Sequence, residues 1–121
     1  MGGIGVTMSY IDYSGQNSEE GIIYQEIRSG KFKDAGDPDK PLTAEEKALL
    51  QRDTDIIHEN FIQAIARNRS LEIGQVRALA DGSTMLGQMA LDNGLIDEIG
   101  SYKEVSDYLR ETLNIDPNIC W

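Results

Sequence analysis

The sequence predicts an α/β domain in which a few strands come first and helices follow. Three observations carry that prediction. Ile4, Val6, Met8 and Tyr10 alternate with smaller residues, the period of a half-buried strand. Ile22-Ile23-Tyr24-Gln25-Glu26-Ile27 is a second β-branched and aromatic run, the composition of a pleated, partly buried surface. From Thr43 onward the apolar residues fall at helical spacing behind two capping boxes.

In chain order, Met1-Gly2-Gly3 leads directly into the first strand, so the domain is expected to begin inside a strand and to lack its N-terminal strands. Asp12 to Gly21 is polar and reads as a loop or short helix. The Ile22–Arg28 strand follows, then a turn bearing Lys31 and Lys33, broken at Gly36 and Pro38. Asp34 to Pro41 holds two of the three prolines and reads as a linker-like loop. Thr43-Ala44-Glu45-Glu46 is a capping box, and Leu49, Leu50, Ile56, Ile57, Phe61, Ala64 and Ile65 continue a long helix to about Arg67. A short helix from Ser70 runs through Val76, Leu79 and Ala80 and ends at Asp81-Gly82. Thr84-Met85-Leu86 is a short extended piece, and Gln88 to Asp92 is one or two helical turns stopped by Gly94. Leu95–Gly100 is an apolar link. Ser101-Tyr102-Lys103-Glu104 opens a final helix with the stripe Val105, Tyr108, Leu109 and Leu113, and Ile115–Trp121 is an irregular tail.

Composition narrows the function. The 121 residues suffice for one domain with a modest core. A formal net charge of −10 argues against nucleic acid, whose phosphates need clustered Lys and Arg, and against docking on anionic lipid. Cys120 is the single cysteine, so no intrachain disulfide can form. No apolar run is long enough to span a bilayer and no signal-peptide pattern is present. Any membrane anchor is expected in a part of the protein outside these residues.

Several residues invite a chemical reading. A lysine at a strand end beside glycines can lean into a cleft and lose its proton, which makes Lys31 or Lys33 a candidate general base; read in isolation, each is first a surface charge. His58 is a lone imidazole in the long helix and reads as solvated. Glu19-Glu20, Glu45-Glu46 and Asp53/Asp55 have no His or Cys cluster beside them and read as solvated faces, not a metal site. Gly2-Gly3-Ile4-Gly5 precedes a strand, whereas a dinucleotide fingerprint follows one. Cys120 has no histidine near it in sequence, which argues against a catalytic thiol. No cofactor is implied.

Several motifs recur in a fixed order: Gly2-x-Ile4-Gly5-Val6, Ser29-Gly30-x-x-Lys33-Asp34 and Pro41-Leu42-Thr43-x-Glu45-Glu46-Lys47, then Ala66-x-Asn68-Arg69, Val76-Arg77-Ala78-Leu79-Ala80-Asp81-Gly82 and Gly87-x-x-Ala90-Leu91-x-x-Gly94-Leu95-Ile96-Asp97-Glu98-Ile99-Gly100. From Gly2 to about Leu109 this pattern resembles the signal peptide peptidase A (protease IV) family. The resemblance implies a Clp protease/crotonase-like fold, of which residues 1–121 would be the C-terminal part of one peptidase domain. It implies a Ser–Lys dyad, in which serine attacks the peptide carbonyl and a neutral lysine takes its proton. Lys33 occupies the position of that lysine and Lys31 a variable one. Burial would favour the neutral amine. Remnant signal peptides and other short or unfolded chains would bind extended along a cleft lined by Gly3, Ile4, Gly5 and Val6; a plain core strand accounts for the same residues.

Two departures from the family pattern stand out. Its nucleophile lies in a Ser-Gly-Gly-like segment upstream of Gly2, so Lys33 would lack its serine within this chain, and the chain alone is expected to be inactive. Ser9, Ser14, Ser18 and Ser29 do not have that context. A serine that often orients the lysine is replaced by Gly3. The resemblance further implies a homo-oligomeric ring, and a membrane-anchored protein whose catalytic domain lies outside the cytoplasm. A non-catalytic peptide-binding ring subunit and a phage capsid-maturation peptidase of the same superfamily are the alternatives.

Overall fold

Five helices succeed one another in a computed structural model that describes residues 2–114: α1 (Ser14–Glu19), α2 (Ala44–Arg69), α3 (Ile73–Leu79), α4 (Gly87–Asp92) and α5 (Tyr102–Leu113). The two capping boxes form as the sequence requires. Thr43 Oγ1 accepts the Glu46 amide at 3.2 Å while the Glu46 carboxylate accepts the Thr43 amide at 2.9 Å. At α5 the Glu104 carboxylate accepts the Ser101 amide at 2.7 Å. Each box satisfies amides that a helix start otherwise leaves without partners. Helix α2 runs two residues past its expected end and closes on Ser70, whose φ of 53° is left-handed. The tail expected over Ile115–Trp121, Cys120 included, lies outside the described residues.

The described residues hold no β-strand, which corrects the expected α/β, Clp protease/crotonase-like architecture. The reason lies in what alternation reports. A period of two records a half-buried side-chain pattern, whereas a strand exists only by exchanging backbone hydrogen bonds with a neighbour. Among the described residues no neighbour runs beside 4–10 or 22–28. Ile4 is nonetheless buried, and its carbonyl accepts one bond, from the Gly82 amide at 3.0 Å. In the second run Ile22 and Ile23 are exposed, and Ile27, at 104% exposure, touches almost nothing. The extended piece expected at Thr84–Leu86 joins no strand ladder among the described residues.

The core sits where α2 and α3 cross the first segment. Ile4, Ile62, Val76 and Ala80 are buried together, with Ile65, Ala66, Leu71 and Leu95 packed around them. The long helix contributes less than its apolar spacing promises: Ile62 is its one fully buried aliphatic residue among those described, while Ile56, Ile57 and Phe61 remain exposed. Two arginines fasten the helices. Arg77 of α3 makes a bidentate pair with Glu59 of α2 at 2.5 and 2.9 Å. Arg69, in the last turn of α2, donates to the Gly94 carbonyl at 2.8 Å and grips Asp97 at 2.8 and 3.0 Å. Planar guanidinium groups suit such two-pronged contacts.

Two outcomes test this packing. Ile62→Ala should lower the unfolding free energy by about 2–5 kcal/mol in urea denaturation, as expected for a cavity in a core this small. The Arg77 guanidinium holds the Glu59 carboxyl down at about 2 from an ordinary 4.5. A depressed carboxylate contributes stability that is present above its unfolded value and is lost as pH falls through the folded one. Melting temperatures should therefore drop between pH 4.5 and about 2, and Glu59→Gln should flatten part of that drop.

Candidate active site

The lysine-bearing turn is built from three successive tight bonds. The Lys33 amide donates to Gly30 O at 3.1 Å, Ala35 to Phe32 O at 3.2 Å and Asp37 to Asp34 O at 3.0 Å. Gly36, at φ +86°, lets the chain reverse where a β-carbon would be strained. Lys33 stands exposed on this turn, and among the described residues no acid or hydrogen-bond partner engages its ammonium. The described residues do not supply the burial that the resemblance implies for it.

Its two neighbours are placed differently. Lys31 lies 2.6 Å from Glu45 and 5.3 Å from the Phe32 ring centre, on the surface. Lys40 is the sequestered one: its side chain is 15% exposed and its Nζ pairs with Glu46 and, at 3.1 Å, with Asp34. Its hydrogen bond to Glu46 raises its pKa above the ordinary lysine value, outweighing burial. Lys40 is thus a fixed cation and unsuited to act as a base. Of the three lysines between residues 31 and 40, Lys33 alone is free of an acidic partner among the described residues.

Around Lys40 the sequence assembles a polar network. Glu46, 2% exposed, uses one oxygen for Lys40 and the other for the Thr43 amide and hydroxyl, each at 2.9 Å. Lys40 in turn holds its carboxyl below the usual range. Asp34 faces Lys40 on one side and Arg28 on the other. It is held ionised well below the usual range, first by a hydrogen bond from the Glu26 carboxyl and then by Arg28 and Lys40; Glu26 is correspondingly raised. Arg28 also reaches Glu26 at 3.0 Å. Tyr24 donates to Asp37 at 3.2 Å, and the Tyr10 hydroxyl reaches the Lys40 carbonyl. On the far side Tyr13 N donates to Pro38 O at 2.8 Å and Asn17 to Asp39 at 2.9 Å.

Two clefts lie along the first segment. One, of about 290 Å³, is lined by Gly3, Gly5, Val6, Thr7, His58 and the Ala80–Gly82 turn. The other, of about 340 Å³, continues from Val6 and Thr7 past Tyr10, Leu42 and Leu50. Together they form a groove beside residues 3–10. Of the four expected peptide-contacting residues, Gly3, Gly5 and Val6 face this groove, while Ile4 is turned into the core. Lys33 lines neither cleft. A β-carbon on Gly3 would fall 2.3 Å from Gly82 O and 2.5 Å from Ser83 O, so backbone alone fits there.

Sequence reasoning passed over two features. His58, expected to be solvated, is half-buried at the groove, and its Nε2 is buried with no hydrogen-bond partner among the described residues. The Glu46–Lys40–Asp34 network was visible only as a capping box. The signal that could have exposed it is the charge alternation Asp34, Lys40, Glu46 across the Pro41 bend. Among the described residues no group of three or more His, Cys, Asp or Glu side chains is arranged to hold a metal.

Comparison with known proteins supplies the context for this geometry. The model of peptidase family S49 matches residues 1–116. The chain is 35% identical over 115 residues to a Methanocaldococcus jannaschii protein named "Putative protease MJ0651", covering 95% of this chain and 37% of that one. It is 32% identical over 110 residues to the Enterococcus faecium "Putative signal peptide peptidase SppA", covering 91% and 32% respectively. With "Capsid assembly protease C" of phage lambda it shares 28% identity over 113 residues, 93% of this chain and 26% of that protein. The chain thus spans between about a quarter and two fifths of the length of these relatives. The contact at Gly3 yields one expectation: Gly3→Ser should destabilise the fold by about 1–3 kcal/mol through overpacking, read by chemical denaturation.

Proposed function

Because this chain belongs to peptidase family S49, we propose that it carries the general base of a Ser–Lys serine endopeptidase, and that Lys33 is that base. The observation that carries the reading is the family match over residues 1–116, within which Lys33 is the motif lysine left free of acidic partners while Lys31 and Lys40 are paired. The Glu46 carboxylate holds the Lys40 ammonium in its charged form, and a general base has to give up its proton.

In this reading a serine outside these residues attacks the peptide carbonyl as Lys33 Nζ takes its proton. The lysine then returns that proton to the leaving amine, and water hydrolyses the acyl-serine. Groups beyond the described residues cover Lys33 when it works. The substrate is an extended, unfolded polypeptide such as a signal-peptide remnant, lying in the groove beside residues 3–10 with Gly3 and Gly5 allowing close backbone approach and Val6 offering apolar contact. The similarity to the Enterococcus faecium relative supports that substrate class. The proposal extends to a membrane-anchored protein acting outside the cytoplasm as a homo-oligomeric ring. In this reading the anchor is a segment outside the described residues, among which no helix is long and apolar enough to cross a membrane.

A second reading, a peptidase of phage capsid maturation, is favoured by the similarity to "Capsid assembly protease C" of phage lambda. Genes for head and portal proteins beside this one would favour it.

The test uses the full-length gene product. Lys33→Ala and Lys33→Arg should each lower kcat/KM on signal-sequence-derived peptides by about a thousandfold or more, whereas Lys31→Ala should stay within about twofold. Undiminished cleavage by Lys33→Ala would remove Lys33 from the mechanism.

A further inference from the structure

We propose that Asp34, Lys40 and Glu46 are positioning residues that fix the Lys33-bearing turn against the start of α2. The proposal rests on the reading of Lys33 as the base and adds how that base is held.

The bonds run outward from the helix. Both oxygens of Glu46 are committed, one to Lys40 and the other to the Thr43 amide and hydroxyl at 2.9 Å. The carboxylate therefore cannot rotate without abandoning the helix cap. Lys40 Nζ has Glu46 on one side and Asp34 on the other, and its side chain is largely out of water. Asp34 is the residue directly after Lys33 in the chain, and Arg28 seals its remaining oxygen. Lys33 thus stands one residue from a side chain that is ion-paired with two cations. A base on an exposed turn would otherwise sample many positions, and proton transfer needs it within hydrogen-bond reach of the serine.

The surrounding groups serve the same arrangement. Glu26 faces both Arg28 and Asp34. Asp37 accepts from Tyr24, and its Oδ1 accepts the Asp39 amide at 3.0 Å. Tyr10 reaches the Lys40 carbonyl from the groove-lining segment. Glu45 of α2 engages Lys31 on the surface. No acid among the described residues pairs with Lys33, so the network constrains its backbone while leaving its amine without a counter-ion. That combination separates a positioning role from a simple structural ion cluster.

The experiment uses the full-length protein with Asp34→Asn, Glu46→Gln, Lys40→Met, Lys40→Arg and Lys33→Ala side by side. Kinetics are normalised to the folded fraction from circular dichroism. Asp34→Asn, Glu46→Gln and Lys40→Met should lower kcat about ten- to hundredfold with KM within about twofold, and should displace the acid limb of the kcat/KM profile. Lys40→Arg, which keeps the cation, should recover most of the rate. If these variants keep kcat and the acid limb while Lys33→Ala is inactive, positioning is overturned and the base assignment stands. If Lys33→Ala is fully active, the base assignment fails and the positioning role with it. Losses that vanish after normalisation to the folded fraction would also overturn the proposal. Should Glu46→Gln not fold, the isosteric Asp34→Asn decides.

Discussion

The Glu46 carboxylate is almost out of contact with water, and a charge so placed restricts everything around it. Left unpaired it would be strongly unfavourable, so a cation and several donors have to converge on it. The cation is Lys40 and the donors are the amide and hydroxyl of Thr43. One side chain therefore starts the longest helix and fixes where the preceding loop can lie. The loop is short of regular structure, yet its path from Arg28 to Leu42 is tied through Asp34 and Lys40 on one side and through Tyr13 and Asn17 on the other. Charge neutralisation gives the loop an order that its composition lacks.

The core around Ile4 depends on close approach instead. Ile4 enters the core beside Ile62 and Val76, which forces its flanking glycines against the Gly82 turn. The same segment then presents Gly3, Gly5 and Val6 to the groove. Burial of one side chain and exposure of its neighbours arise from a single extended stretch, so the groove is as firmly placed as the core that backs it. Arg77 completes the frame by fastening α3 to α2, and Arg69 by fastening the end of α2 to Gly94 and Asp97.

Helices were the legible part of this sequence, because their signals are local. Thr43 with Glu46 and Ser101 with Glu104 announce helix starts within four residues, and both boxes form. The strands were not legible, since Ile4–Tyr10 carries the alternation of a sheet and Ile22–Arg28 its composition, but neither finds a neighbour among the described residues. Apolar spacing over α2 identified the helix and overstated its burial: Ile56, Ile57 and Phe61 keep the right period and stay exposed. For the candidate site, motif order distinguished Lys33 from Lys31, but no local periodicity marks Lys40 as the buried cation, and only the wider charge alternation Asp34, Lys40, Glu46 hints at it. Its partners lie six residues away on either side, Asp34 before it and Glu46 after it, beyond the reach of any helical or strand period. His58 was missed for a related reason, since its neighbours at the groove come from residues 3–7 and 80–82.

The contact between Gly3 and the Gly82 turn couples two distant stretches of the chain. Position 3 faces carbonyl oxygens of residues 82 and 83 at distances no side chain tolerates, so the two stretches can diverge only in concert. A lineage acquiring a hydroxyl at position 3 would first have to reroute the turn after α3, and one that tightened that turn would lock glycine in. Glycine at position 3 is therefore dictated by the space that the turn after α3 leaves, and any larger residue there requires that turn to move.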